Sequence, residues 1–363
     1  MSAGTASGAA LARELTPRQD AVLRELMGWG GERPSFDPLL AVRLRELIEA
    51  GLASVAERLG RHEVLVTKHE LAQVLQCERR WLASEPFEWS VRTAAGTVAH
   101  RAIALGLFLR DDPSPVELVD AAVERITGED HDWGPAAFLS GLSPAEEAEL
   151  RAEAVTQVTG FVTCFPPVAR SWRPSVEARV RVDLCDDRIV LRGKVDLALG
   201  QPAGTQARVL LVDFKAARPF RTHADDLRYY ALLEAIRTGV PPFRVASFYL
   251  EAGRWQHEDV TEDVLLTAAR RVVQGVRRMV ELRVDGREAT LGPGPGCAFC
   301  PERTDCPGPE RWEAERASAG GGLGVEEGIA QGIADEAPPV AVLVEQGGQA
   351  GPQEEHQAHH PQY

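Results

Sequence analysis

The sequence predicts an α/β fold: a central mixed sheet of about four or five strands flanked by helices, with a helical appendage at the N-terminal side. Three observations predict it. Up to about residue 163, apolar residues recur at three- and four-residue steps, the period of a helix with one buried face. From residue 175 the pattern changes to two-residue alternation, the period of a strand. ARVLLVDFKAA (207–217) is instead a short continuous apolar run, as expected of a strand covered on both faces.

Taken in order, residues 1–16 are small and polar and are expected to be disordered. Residues 17–62 form the helical appendage, with helical spacing in DAVLRELMGWGG and DPLLAVRLRELIEAGLASVAERL. In VTKHELAQVLQCERRWLAS, Thr67 is a candidate N-cap with Glu70 three residues on, and the helix is expected to run toward Trp81. Further helices are expected over 93–109, 115–126 and 143–163. SVEARVRVDL (175–184) and RIVLRGKVDLAL (188–199) alternate as strands joined by a turn. A helix over 224–239 stops at Gly239 and Pro241. A strand over 243–253 and a long helix over 261–284 follow, and Gly/Pro-rich sequence leads into CAFCPERTDC. Residues 317–363, rich in Gly, Ala, Glu and Gln, are expected to be a disordered acidic tail.

Composition narrows the class of function. With 363 residues, 44% hydrophobic and 26% charged, the chain can bury a core without disulfides. The first residues lack a basic segment followed by an apolar one, so no secretory signal is expected. No run of about 18 apolar residues is present, so no membrane span is expected. The expected location is the cytoplasm, where six cysteines read as metal ligands or buried thiols. The net charge of −14 does not exclude a nucleic-acid partner, because residues 317–363 hold seven Asp/Glu and no Lys or Arg, half of the total. There are three lysines, Lys68, Lys194 and Lys215, against 37 arginines. A chain so biased uses lysine where a compact point donor is wanted rather than a planar fork.

The chemistry is carried first by two strand ends, Gly193-Lys194-Val195-Asp196 and Val212-Asp213-Phe214-Lys215. Residues two apart on a strand share a face, so Asp213 and Lys215 point one way and Phe214 the other. A carboxylate and an ammonium on a buried strand are costly unless something is bound there. Mg²⁺ or Mn²⁺, with Asp196 from the neighbouring strand completing an oxygen set, is that something. Phosphodiester hydrolysis needs a deprotonated water and neutralisation of charge at phosphorus. Carboxylate-held metal supplies both, and the lysine orients the water or offsets developing charge. The competing reading is a plain salt bridge on an edge strand.

GKVDLAL, VDFKAA and the helix DDLRYYALL together resemble the RecB-type branch of the PD-(D/E)XK nucleases, over roughly residues 65–312. The resemblance implies a restriction-endonuclease-like core over 63–316. It implies that Asp196 and Asp213 are metal ligands and that Lys215 is the catalytic lysine. His100, in Gly96-Thr97-Val98-Ala99-His100, is implied as a further ligand, Tyr230 as a group that positions substrate or water, and Glu177 as an auxiliary acid. The family's Gln-x-x-x-Tyr motif departs here: Asp226 stands where glutamine is expected. A carboxylate does not donate as an amide does, so Asp226 reads as an auxiliary metal ligand or as a change in substrate handling.

The second constellation is Cys297-x₂-Cys300-x₅-Cys306, set among turn-forming Gly and Pro, with Cys77 as the candidate fourth thiolate. By residue type alone, an iron–sulfur cluster, a Cys₄ zinc site and a metal-free site all stay open. One cysteine before the core and three after it is similar to the iron–sulfur nucleases of the AddB type and the CRISPR-associated exonucleases. That resemblance implies a [4Fe–4S] cluster closing the ends of the domain, although Glu78 stands where the family often has proline. Cys164 reads as a buried small hydrophobe, and Cys185 carries no assigned role. The tail histidines His356, His359 and His360 read as solvated.

The expected function is a metal-dependent DNA nuclease, an exonuclease acting on single strands or duplex ends. No Walker motif is present, so unwinding would fall to a helicase partner, in a repair or defence complex. The alternatives are a non-cleaving iron–sulfur module that grips DNA or a helicase, and an RNA-directed nuclease.

Overall fold

A computed structural model describes residues 15–318, apart from 29, 110–112, 130–133, 217 and 221. Of the end segments predicted to be disordered, 1–14 and 319–363 lie outside the described residues, as do His356, His359 and His360.

Helix α1 (Pro17–Ala21) passes into a π-helical turn (Val22–Leu26), and α2 (Leu40–Leu59) follows. Leu40, Leu44, Ile48, Leu52, Val55 and Leu59 recur every three or four residues and form the buried face of α2. Strand β1 (Val64–Val66) leads into α3 (Lys68–Gln76) and α4 (Glu78–Leu82). Helices α5 (Val91–Gly106), α6 (Pro115–Thr127), α7 (Pro135–Ser140) and α8 (Pro144–Cys164) complete the first half. Ser90, Ser114 and Ser143 open α5, α6 and α8 with reciprocal capping boxes, which satisfy donors that the first turn leaves without intrahelical partners.

The second half holds β2 (Ser175–Leu184), β3 (Ile189–Leu199), β4 (Leu210–Lys215), α9 (Thr222–Thr238), β5 (Arg244–Tyr249), β6 (Arg254–Asp259) and α10 (Glu262–Arg283). Two short 3₁₀ turns, Pro295–Phe299 with Cys297 inside it and Cys300 just after, and Arg303–Asp305 with Cys306 just after, lead to α11 (Gly308–Ser318), which ends the described chain.

The sheet is mixed: β2, β3 and β4 form an antiparallel meander, β5 runs parallel to β4, and β6 pairs antiparallel with β5. It has six strands rather than four or five. The two that sequence spacing did not single out are β1, three residues long, and β6, whose polar RWQHED shows no apolar stripe. One core layer joins α2, α3, α9 and α10 to one side of the sheet, where Leu211 and Val245 point. The other joins α5, α6 and α8 to the opposite side, where Leu210, Val212 and Phe214 point. The helices expected over 17–62 therefore include one, α2, whose apolar face lies in the same core as the sheet.

The helix expected to run from Thr67 to Trp81 is two helices. Cys77 adopts an extended backbone (φ −155°, ψ 112°) and separates α3 from α4. Glu78 fixes the break from the other side: its carboxylate accepts the Thr290 N–H at 2.8 Å and an Arg287 N–H at 2.9 Å. No helix among the described residues is long and apolar enough to cross a membrane.

Candidate functional site

Strand β3 is shared unequally by its neighbours, and this opens the site. Strand β2 covers one edge along most of its length. The other edge is divided: β1 pairs with Ile189–Leu191 and β4 with Leu197–Leu199. Between them the edge from 192 to 196 has no strand partner among the described residues. Tyr229 of α9 bridges the gap, its hydroxyl 2.8 Å from the Val66 carbonyl and 3.1 Å from that of Arg192. Asp196 stands at the point where β4 joins, and its Oδ2 accepts the Phe214 N–H at 2.7 Å.

Alternation on β4 sends Phe214 into the α5–α8 layer and Asp213 and Lys215 to the other face. All three charged residues of the two strand ends that face inward are buried: Asp196 is 7% exposed, Asp213 3% and Lys215 5%. Lys215 Nζ lies 3.0 Å from Asp213 Oδ2 and 3.5 Å from Asp226 Oδ2. A second ammonium, Lys68 Nζ from the first turn of α3, lies 3.2 Å from Asp213 Oδ1 and 4.0 Å from Asp226 Oδ2. From the opposite layer, His100 Nδ1 on α5 is 3.3 Å from Asp196 Oδ1. Burial alone would lower the His100 pKa, but the Asp196 carboxylate overrides it and holds the imidazole above its ordinary value. Burial likewise works against ionised Asp196, and the imidazole, the Phe214 N–H and Lys68 outweigh it and hold the carboxyl low.

His100, Asp196, Asp213, Lys215 and Asp226 are thus brought together. Asp226 and Tyr230 share a face of α9, four residues apart. The Tyr230 ring packs on Gly193, where a Cβ would stand 2.5 Å from Cε1. The glycine of GKVD is therefore the space the tyrosine fills. Glu177 is placed differently. It lies opposite Asp196 at a position that the β2–β3 ladder skips, in a left-handed conformation (φ 47°). Its carboxylate is taken by Lys194 at 2.9 Å and Arg101 at 3.3 Å.

Among the described residues, no three His, Cys, Asp or Glu side chains are grouped closely enough to hold one metal ion as they stand. Lysines take up the contacts to Asp213 instead. The donors nevertheless suit a hard divalent cation: they are carboxylate oxygens with one imidazole, and Asp213 Oδ2 is buried, with the Lys215 ammonium 3.0 Å away as an ion pair rather than a well-formed hydrogen bond.

The cysteine loop closes on Cys77. Gly292 N–H donates to Cys77 Sγ at 3.5 Å, Gly294 N–H to Cys297 Sγ at 3.5 Å and Gly308 N–H to Cys306 Sγ at 3.3 Å. Gly292 packs so closely on the Gln76 carbonyl that a side chain there would overlap it. Burial first, and then the thiols of Cys77 and Cys306, push the Cys300 thiol up, against the Glu302 N–H and Arg80. The Arg80 guanidinium is buried beside Cys300, Cys77 and Cys297, and Arg79 pairs with Glu302. None of the six cysteines is in a disulfide. Backbone N–H groups thus donate to three of these sulfurs, and the Arg80 guanidinium lies beside Cys300, Cys77 and Cys297. Cys164 is buried and Cys185 half-buried, both away from this loop.

Sequence reasoning did not place Lys68, His223, Ser247 or Tyr249 in this region. Ser247 and Tyr249 on β5 stand beside Asp213 and Lys215 in register, and the Tyr249 hydroxyl is 3.2 Å from His223 Nδ1. For Lys68 there was a signal, the scarcity of lysine; for the others there was none.

The family model described as PD-(D/E)XK nuclease superfamily matches residues 66–307. No curated protein matches the chain. The solved structure described as "Crystal structure of SSO0001" is 11% identical with a TM-score of 0.29, covering 73% of this chain and 96% of that one.

Proposed function

We propose, from the premise that this chain belongs to the PD-(D/E)XK nuclease superfamily, that it is a metal-dependent DNA nuclease of the RecB type, an exonuclease working on single strands or duplex ends. The observation that carries the reading is the convergence of Asp196, Asp213 and Lys215 at the junction of β3 and β4, buried and with His100 alongside. Asp196, Asp213 and His100 would hold Mg²⁺ or Mn²⁺, with Asp226 as an auxiliary oxygen donor. When bound, the cation supplies Lewis acidity and an acidified water at the phosphate.

The chain's own groups do the rest. Lys215, 3.0 Å from Asp213, would set its ammonium charge beside the phosphate oxygens. His100 and the Phe214 N–H orient the two oxygens of Asp196. Tyr230, seated on Gly193, walls the site and positions substrate. Glu177, tied to Lys194 and Arg101, acts in this reading as an auxiliary acid that positions those cations.

The contact of Gly292 with the Cys77 sulfur, the N–H donors to Cys297 and Cys306 and the family resemblance support a [4Fe–4S] cluster on Cys77, Cys297, Cys300 and Cys306, which would staple α3 to the C-terminal loop once the thiols close on it. DNA is the proposed substrate and a cytoplasmic helicase, within a repair or defence complex, the proposed partner. The test is incubation with single-stranded and duplex DNA, and with RNA, in Mg²⁺ or Mn²⁺. Cleavage of DNA that Asp213→Ala lowers by at least about 10²-fold is expected. Binding without cleavage, or cleavage that survives the substitution, sinks the reading.

A further inference from the structure

Two ammonium groups close on Asp213, and the D-x-K strand supplies only one of them. The other, Lys68, lies 145 residues upstream of Asp213 and reaches its Oδ1 at 3.2 Å. Resting on the nuclease reading above, we propose that Lys68 is a second catalytic lysine of the site, whose ammonium binds a non-bridging oxygen of the phosphate being cut.

Four observations lead there. Lys68 is the first residue of α3, directly after its N-cap Thr67. A cation at that end opposes the helix dipole, so local electrostatics disfavour lysine there. Tertiary contacts must account for it, and they lie in the site. Its side chain is only 13% exposed, on Asp213 and Asp226, with Nζ 5.1 Å from the centroid of the Tyr230 ring. The chain uses lysine only three times against 37 arginines, and here a point charge fits between carboxylates where a planar fork would not. Lys68 also lines a narrow crevice with Asp226, Tyr229 and Arg271 between α3, α9 and α10.

In hydrolysis the oxygen of water forms a bond to phosphorus as the bond to the leaving sugar oxygen breaks. Water gives up one proton and the leaving oxygen gains one. Lys68 exchanges no proton; it offsets charge gathering on the non-bridging oxygen, opposite in role to a lysine that only neutralises Asp213 and Asp226.

The test compares wild type with Lys68→Ala, Lys68→Gln, Lys68→Arg and Asp213→Asn, each checked for fold by circular dichroism. The first readout is kcat on a single-stranded oligonucleotide in Mg²⁺. The second is the salt dependence of binding the same oligonucleotide in EDTA, read whether or not cleavage occurs. Lys68→Ala and Lys68→Gln are expected to lose about 10²-fold in kcat and to flatten the salt slope by about 0.7. Lys68→Arg is expected to keep the slope with intermediate kcat. If Lys68→Ala does not fold, Lys68→Gln decides. An unchanged salt slope in the neutral variants, or wild-type kcat in them, overturns the proposal. If wild type cleaves and only Asp213→Asn abolishes cleavage, the nuclease reading stands and the role of Lys68 falls.

Discussion

At the scale of single residues, the site is a balance of buried charge. Asp196, Asp213 and Asp226 face Lys68, Lys215 and a His100 held toward its charged form. Each charge is tolerable because another is within about 4 Å, and removing one partner leaves the remainder uncompensated. The same crowding leaves no room for a side chain at Gly193 unless the Tyr230 ring shifts. The Gly193→Ala methyl must displace the Tyr230 ring, whose Cε1 would lie 2.5 Å away. Overpacking of this kind costs about 1–3 kcal/mol. We expect a lowered melting temperature together with a fall in cleavage, because Tyr230 walls the site; a variant with wild-type stability and activity would show that the ring is free to move.

At the scale of elements, much was legible. Alternation located β2 and β3, and the D-x-K pattern on an apolar run located β4 and its two faces. What escaped had weak local signals. Three residues are too few for β1 to show a period, and β6 is a polar edge strand. The break at Cys77 is set by tertiary partners, Thr290 and Arg287 on Glu78 and Gly292 on the Cys77 sulfur, none of which lies within reach in sequence. The break has a use, since it turns the thiol toward the loop that holds the other three. If this is a metal staple, anaerobically purified protein should be brown and carry iron and sulfide. Cys77→Ser should lose both and unfold at a lower temperature. Colourless protein with stoichiometric zinc would reject the iron–sulfur assignment.

At the scale of the whole molecule, the sheet divides two apolar layers, and the site lies where they meet: Asp213 and Lys215 face one layer, and His100 reaches Asp196 from the other. The sequence singled out His100, Asp196, Asp213 and Lys215, which the fold brings together, but not Lys68 beside Asp213, because α3 docks beside α9 only through long-range packing. The same packing binds α2 into the core. Leu40, Leu44, Ile48 and Leu52 are each fully buried, and burying one such side chain stabilises by about 1.5–3 kcal/mol. A chain beginning at residue 63 should therefore aggregate or lose cooperative thermal unfolding; a soluble, cooperatively melting fragment would show that α2 is dispensable.

The account depends above all on a divalent cation held between β3 and β4. Isothermal titration of Mn²⁺ into wild type, Asp196→Asn and Asp213→Asn measures this without any turnover. Saturable binding in wild type that either substitution weakens by at least about tenfold, or about 1.4 kcal/mol, is the expected result. Wild-type affinity in both variants, or no saturable binding in any of the three proteins, would contradict it.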